Sequence, residues 1–284
     1  ELMEKYFEGE EITEEELTNA IRYGVLEGDI VPILCGSAVN NVGIKTLMDE
    51  IVNYLPSPCD RPSFKGTNPK TGETVRREMK VSEPFSALVF KTIVDPFIGK
   101  LSIFKVMSGE LESGATVYNA NKDYNEKTTA LYSLKGKNQT QVSKLTAGDF
   151  GAFAKLQRTE TGDTLCDPSS PIVYKGIEFP EPAISMAIKV EKEGEEDKVF
   201  SGLNRLAEED PTFRVETNSE TNETLISGIG EMQLEVVASR LKSKFGVGVL
   251  FKEPKVAYRE TIRKTIKAEG RHKKQSGGHG QYGH

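Results

Sequence analysis

The clearest alternation of apolar and polar positions lies in residues 224–251, TLISGIGEMQLEVVASRLKSKFGVGVLF. Leu234, Val237, Ala238, Leu241 and Phe245 recur at helical spacing and make one apolar stripe. Glu231 sits in the first turn and Arg240, Lys242 and Lys244 near the end, where each charge suits the helix dipole. Gly246 supplies a left-handed C-cap, and β-rich residues on both sides read as strands. Upstream, Ile184, Met186, Ile188 and Val190 alternate as a strand, and Val199, Phe200, Leu203, Leu206 and Ala207 return to helical spacing. That helix must stop by Asp210, because Pro211 disfavours the α conformation in the residue before it. Phe213 and Val215 alternate with Arg214 and Glu216, and residues 218–222 make a polar turn. The predicted order of strand, helix, strand, strand, helix, strand is the ferredoxin-like βαββαβ pattern.

Residues 84–178 change rhythm. Short β-rich runs at 85–94, 101–107, 116–119, 128–134, 142–145 and 151–156, with glycine-bearing turns between them, predict an antiparallel barrel whose closure removes exposed strand edges. Residues 1–58 read as a piece of an α/β domain. Thr13 with Glu16 is a capping box, residues 30–34 (IVPIL) form an apolar run suited to a buried parallel strand, and residues 44–55 form an amphipathic helix ended by Pro56. Residues 59–83, with prolines, glycines and charges, read as a linker or long loop. The expected fold class is therefore multidomain α+β, with the barrel followed by the ferredoxin-like domain at 179–253.

Composition narrows the class without naming a chemistry. At 284 residues and 37% hydrophobic, the chain can bury two or three cores. It has no apolar run of the roughly 18 residues a membrane span needs, and its first residues are acidic, which supports neither a membrane segment nor a signal peptide. Cys35, Cys59 and Cys166 are too few and too scattered for a disulfide framework or a CxxC metal site, and read as reduced cysteines in a cytoplasmic protein. The net charge of −6 is unevenly placed: residues 261–284 hold Arg263, Lys264, Lys267, Arg271, Lys273 and Lys274 against Glu269 alone. Such a block is either a solvated face or a surface for an anionic partner such as nucleic acid.

Three apparent nucleotide motifs fail on spacing. The first glycine of GxxxxGK[ST] would fall on Val94 for Gly99-Lys100 and on Leu131 for Gly136-Lys137. Asn121-Lys122-Asp123 lacks the closing Asp of NKxD, since Tyr124 follows. All three read as hairpin turns. His279 and His284 lack further ligands for a metal, and no Cys-His pair or carboxylate cluster suggests a free-standing enzyme.

Several runs carry a family resemblance: FPEP at 179–182, RLAEEDPTFRVET at 205–217 and GIGEMQLE at 228–235, together with SGELESGATVYN at 108–119, AGDFGAFAKL at 147–156, TGDTL at 161–165 and KEPKVAYRETI at 252–262. They resemble the second, third and fourth domains of elongation factor G, a translational GTPase. Gln233 stands where that family usually has His, and His279 where many members have Arg. The resemblance implies that residues 1–58 are the C-terminal part of a GTP-binding domain, that 84–178 and 179–253 are the second and third domains, and that 254–284 begin the fourth. It implies a fragment of a longer chain that binds GTP and magnesium and promotes GTP-dependent translocation of tRNA and mRNA on the ribosome; a ribosome-protection or other non-translocating member is the second reading. Ser37 and Ala38, in CGSAVNN at 35–41, resemble the last guanine-recognition loop. Lys273, Lys274, Gly277, Gly278, His279, Gly280, Gln281 and Tyr282 resemble the fourth-domain loop that meets ribosomal RNA. With no P-loop, no catalytic residue and no metal ligand, the stretch is expected to bind no nucleotide, to hydrolyse no GTP and to be a monomer or weakly self-associating.

Overall fold

The computed structural model describes residues 2–60, 63–95, 99–136, 138–274, 278 and 280–283. Its first 60 residues hold helices α1 (Leu2–Glu8), α2 (Glu14–Glu27) and α3 (Ile44–Tyr54). The capping box forms as the sequence predicts: Glu16 N–H donates to Thr13 Oγ1 at 3.3 Å, and Thr13 N–H donates to Glu16 Oε2 at 3.1 Å. Arg22 of α2 donates to the Asn53 carbonyl and to Asp60 Oδ2, both at 2.7 Å, which pins α2 to the end of α3. Among the described residues of the three helices only Gly24 is buried, so this segment has no apolar core of its own.

Residues 30–34 form no strand, contrary to the expectation. No other strand among the described residues lies beside them, and Val31 and Ile33 are 79% and 89% exposed. An apolar run becomes a buried strand only where neighbours take up its backbone groups, and Pro32 has no N–H to offer.

From Phe64 the chain is mainly strand: β1 (Phe64–Thr67), β2 (Thr74–Arg77), β3 (Ser86–Asp95), β4 (Gly99–Ser108), β5 (Glu110–Glu112), β6 (Thr116–Asn119), β7 (Tyr124–Lys127), β8 (Leu131–Lys135), β9 (Asn138–Val142), β10 (Lys144–Thr146), β11 (Phe150–Ala154), β12 (Thr164–Cys166) and β13 (Val173–Tyr174). The 59–83 segment is thus no plain linker. β1 and β2 form a hairpin, β1 also pairs with β13, and Phe64 and Val75 pack onto the outer side of the barrel with Met107, Tyr118, Cys166, Ile172 and Tyr174. At the hairpin turn Asn68 Oδ1 accepts from the Lys70 and Thr71 amides, an Asx turn that the proline-rich composition masked.

Eight strands pair antiparallel in the order β7-β6-β12-β3-β4-β11-β8-β9. Val117 near one end of that sheet and Leu131 near the other share a core with Val89, Phe104, Phe153 and Leu165, so the sheet curls on itself. Leu111 and Leu145, from the β5–β10 ribbon, complete the same interior. The stretch expected as one strand at 142–145 is divided between β9 and β10. Gly151 is required where it stands, because a Cβ there would meet Leu145 Cδ1 at 2.2 Å and Phe104 Cζ at 2.9 Å.

The third unit holds β14 (Ile184–Val190), α4 (Glu196–Glu209), β15 (Arg214–Asn218), β16 (Glu223–Gly228), α5 (Glu231–Phe245) and β17 (Val249–Lys252). Its sheet runs β15-β16-β14-β17, all antiparallel, the order a ferredoxin-like fold requires. Leu234, Val237 and Leu241 of α5 and Val199, Leu203 and Leu206 of α4 are buried against Phe213 and Ile226. Each such side chain contributes roughly 1.5 to 3 kcal/mol. Gly246 ends α5 with φ of 71°, as its position predicts. Beyond it β18 (His272–Lys274) and β19 (Gln281–Gly283) form a hairpin. No helix is long and apolar enough to cross a membrane among the described residues.

Candidate functional sites

The loop carrying Ser37 and Ala38 is tightly folded. Ser37 N–H donates to the Val42 carbonyl at 2.9 Å and Val42 N–H returns the bond to Ser37 at 3.0 Å, while Asn41, with φ of 54°, closes the turn onto the Ala38 carbonyl. Gly43, at φ 76°, begins α3 so close to Cys35 that a Cβ would lie 2.8 Å from its carbonyl oxygen. The loop therefore presents a fixed backbone. The Ser37 amide is already committed within it, whereas the exposed Ala38 amide donates to no acceptor among the described residues. Of the two predicted residues, Ala38 is the one whose N–H could meet a carbonyl oxygen of a base; Ser37 holds the turn.

At the other end, β18 and β19 pair His272 with Gly283, Lys273 with Tyr282 and Lys274 with Gln281. Cross-strand partners share a face, so Lys273 and Tyr282 lie on one side of the ribbon, and Lys274 and Gln281 on the other. The two lysines thus do not form one patch. The Arg271 guanidinium lies 5.7 Å from the Tyr282 ring centroid, a cation–π contact, and Tyr282 remains 65% exposed. Arg271, already part of the basic block read from the sequence as a surface for an anionic partner, is tied to Tyr282 by this contact, which only the hairpin register shows. Gly278 has φ of 84° and Gly280 is exposed in the connecting turn; Gly277 and His279 lie outside the described residues.

Gln233, singled out by its sequence context, has a structural role. Its Nε2 donates to Asp210 Oδ2 and to Thr212 Oγ1, both at 2.7 Å, and its Oε1 accepts from Ile229 N–H at 2.7 Å. One side chain thereby ties the start of α5 to the end of α4 and the entry to β15. Residues 121–123 form the turn between β6 and β7, with Asn119 Oδ1 accepting from the Asn121 and Lys122 amides. Tyr118 donates to Asp123 Oδ1 at 2.8 Å, and chiefly this bond pushes the Tyr118 hydroxyl up to about 12. Gly136, at φ 59°, turns β8 into β9, and Gly99 opens β4; Lys137 lies outside the described residues. Among the described residues none of the three decoys builds a phosphate cradle.

The relationships follow from sequence and fold together. Residues 84–168 match the family model for elongation factor G domain 2, residues 179–253 that for domain III, and residues 254–284 that for domain IV. The whole chain is 48% identical, over 284 residues, to elongation factor G of Thermotoga maritima, of which it spans 41%. It is also 48% identical over 283 residues to elongation factor G of Thermotoga neapolitana, with the same 41% share. The chain belongs to the elongation factor G family. A crystal structure of a Thermus thermophilus protein superimposes with a TM-score of 0.71 at 33% identity, covering 99% of this chain and 40% of that one. The loop with Ser37 and Ala38 and the basic hairpin stand at opposite ends of the sequence, with the barrel and the ferredoxin-like domain between them.

Proposed function

We propose that this chain is the connecting stretch of a translational GTPase that promotes ribosomal translocation of tRNA and mRNA in the cytoplasm. The observation that carries the reading is the 48% identity to elongation factor G over all 284 residues, a span that takes in the loop, the barrel, the third domain and the hairpin. In this reading the Ala38 N–H meets the guanine carbonyl oxygen and Ser37 fixes the loop that presents it. GTP and magnesium, when bound by the whole protein, supply the hydrolysis; the residues described here bind and position. The barrel and third domain transmit the nucleotide state. Lys273, Arg271 and Tyr282, on one side of the ribbon, meet ribosomal RNA by phosphate contact and stacking, the sequence Gly277, Gly278, His279 and Gly280 favours close backbone approach, and Lys274 and Gln281, on the other side, flank that contact.

The test is single-codon movement of mRNA on ribosomes by the full-length protein with GTP. Forward movement that is lost on replacing Lys273 and Tyr282 together by Ala is the expected result. Ribosome binding with no forward movement would overturn the translocation reading.

A further inference from the structure

The barrel and the third domain have separate apolar interiors: each of the four buried clusters draws its residues from one side of the joint only. A joint without a shared core is expected to move unless specific contacts hold it. Among the described residues one hydrogen bond and one ion pair span it. β12 pairs with β3 along Ser86–Leu88 and Val89 still exchanges bonds with Asp163 and Gly162, so among the described residues the end of β3 beyond Val89 has one edge with no strand beside it. There the Val94 N–H donates to Oε1 of Glu209, the last residue of α4, at 2.7 Å. The same carboxylate accepts from Lys244 Nζ at 2.8 and 3.1 Å, and Arg240 NH1 lies 3.9 Å away; both cations are on α5. Glu209 is 10% exposed, while the second cross-joint pair, Lys100 with Glu208, is stretched to 4.0 Å. Beside these contacts lies an open cleft of about 510 Å³ between the barrel and α4, lined by Gln157, Glu160, Thr161 and Asn204 among others. Among the described residues the joint thus has one well-made polar contact and room to close or open around it.

We propose that Glu209 is a clasp that sets the angle between the barrel and the third domain. Its carboxylate occupies the open edge of β3 and is itself held by the two α5 cations, so that barrel, α4 and α5 move as one body while the bond is made. Release of the Val94 N–H lets the third domain swing about the joint. A ligand or a second protein that offers β3 a competing acceptor would act on this bond. The clasp works in the same way whatever the hairpin or the nucleotide loop binds.

The test uses the 284-residue chain with Cys35 and Cys59 replaced by Ser and spin labels at Lys127→Cys and Ser239→Cys, which are exposed and lie on opposite sides of the joint. The inter-label distance should form one narrow peak in the parent chain. Val94→Pro removes the donated N–H from an edge that makes no ladder bond there, without touching the third domain, and should turn the peak into a broad distribution. Glu209→Ala should do the same, and Glu209→Gln, which keeps an acceptor but loses the charge, should broaden it less. A peak that stays narrow in Val94→Pro overturns the clasp. If Glu209→Ala unfolds the third domain, shown by loss of its cooperative thermal transition, Val94→Pro alone decides. Because the readout is taken without ribosome or nucleotide, a failure here is distinct from a failure of translocation.

Discussion

Gln233 shows what a single side chain contributes and why its role is invisible in a linear reading. Its two amide donors reach Asp210 and Thr212, 23 and 21 positions earlier, and its carbonyl reaches Ile229 four positions earlier. Gln233→Leu would take the donor from Asp210 Oδ2 and the acceptor from the Ile229 amide, while Thr212 Oγ1 keeps its bond to Asp210 Oδ1. A destabilisation of the third domain by about 1 to 3 kcal/mol is expected, read as a lowered denaturant midpoint with an unchanged slope. An unchanged midpoint would mean that water serves these groups as well. Contacts within four residues were legible in the sequence, as the Thr13 and Glu16 capping box and the Gly246 cap show. The long-range roles of Gln233 and Glu209 were not, because each acts through partners that only the fold brings near.

At the scale of elements, the sequence identified helices and strands by their apolar period and erred where an element depends on a neighbour. Residues 30–34 have the composition of a buried strand but no strand to pair with among the described residues, and residues 59–83 have the composition of a linker but pair with β13. Hydrogen exchange should be fast at Ile33 and Leu34 and slow at Leu234 to Leu241, where α5 is buried; equal protection in both, in a dilute monomer, would contradict it. The first helices carry a pH signature as well. Bonds from the Lys5 amine and then from Thr13 hold the Glu16 carboxyl at about 2, below its ordinary value. A depressed carboxyl stabilises the folded state above its unfolded pKa and ceases to do so as the pH falls through the folded one. Helix signal from α1 and α2 should therefore fall between about pH 4.5 and 2, and Glu16→Gln should remove that dependence. The hairpin makes a sharper claim. With Lys273 and Lys274 on opposite faces, a flat RNA contact engages one of them. Lys273→Ala should lower the slope of log K against log salt by about 0.7 to 0.9, and Lys274→Ala by much less. Equal effects would mean that RNA wraps the ribbon.

For the whole molecule, the order of domains was legible because each has its own apolar period, whereas the joint between them was not, since it is made of polar contacts that leave no pattern. Charge is divided along the same line. The net −6 conceals a basic segment, residues 261–284, following a strongly acidic remainder, so an anionic partner is steered to the hairpin and away from the rest. That division bears on nucleotide too. A triphosphate needs a cradle of amides and a cation, and the loop is read as offering a base edge the Ala38 amide, with no cluster of His, Cys, Asp or Glu fit to hold a metal ion among the described residues. One neutral hydrogen bond contributes about 0.5 to 1.5 kcal/mol, far short of the roughly −5.5 kcal/mol that a dissociation constant near 0.1 mM represents. Calorimetry of the 284-residue chain should accordingly detect no GTP binding up to about 0.1 mM, with or without magnesium. Micromolar affinity would show that this stretch holds the phosphates by itself, and the assignment of Ala38 to the base edge alone would fall with it.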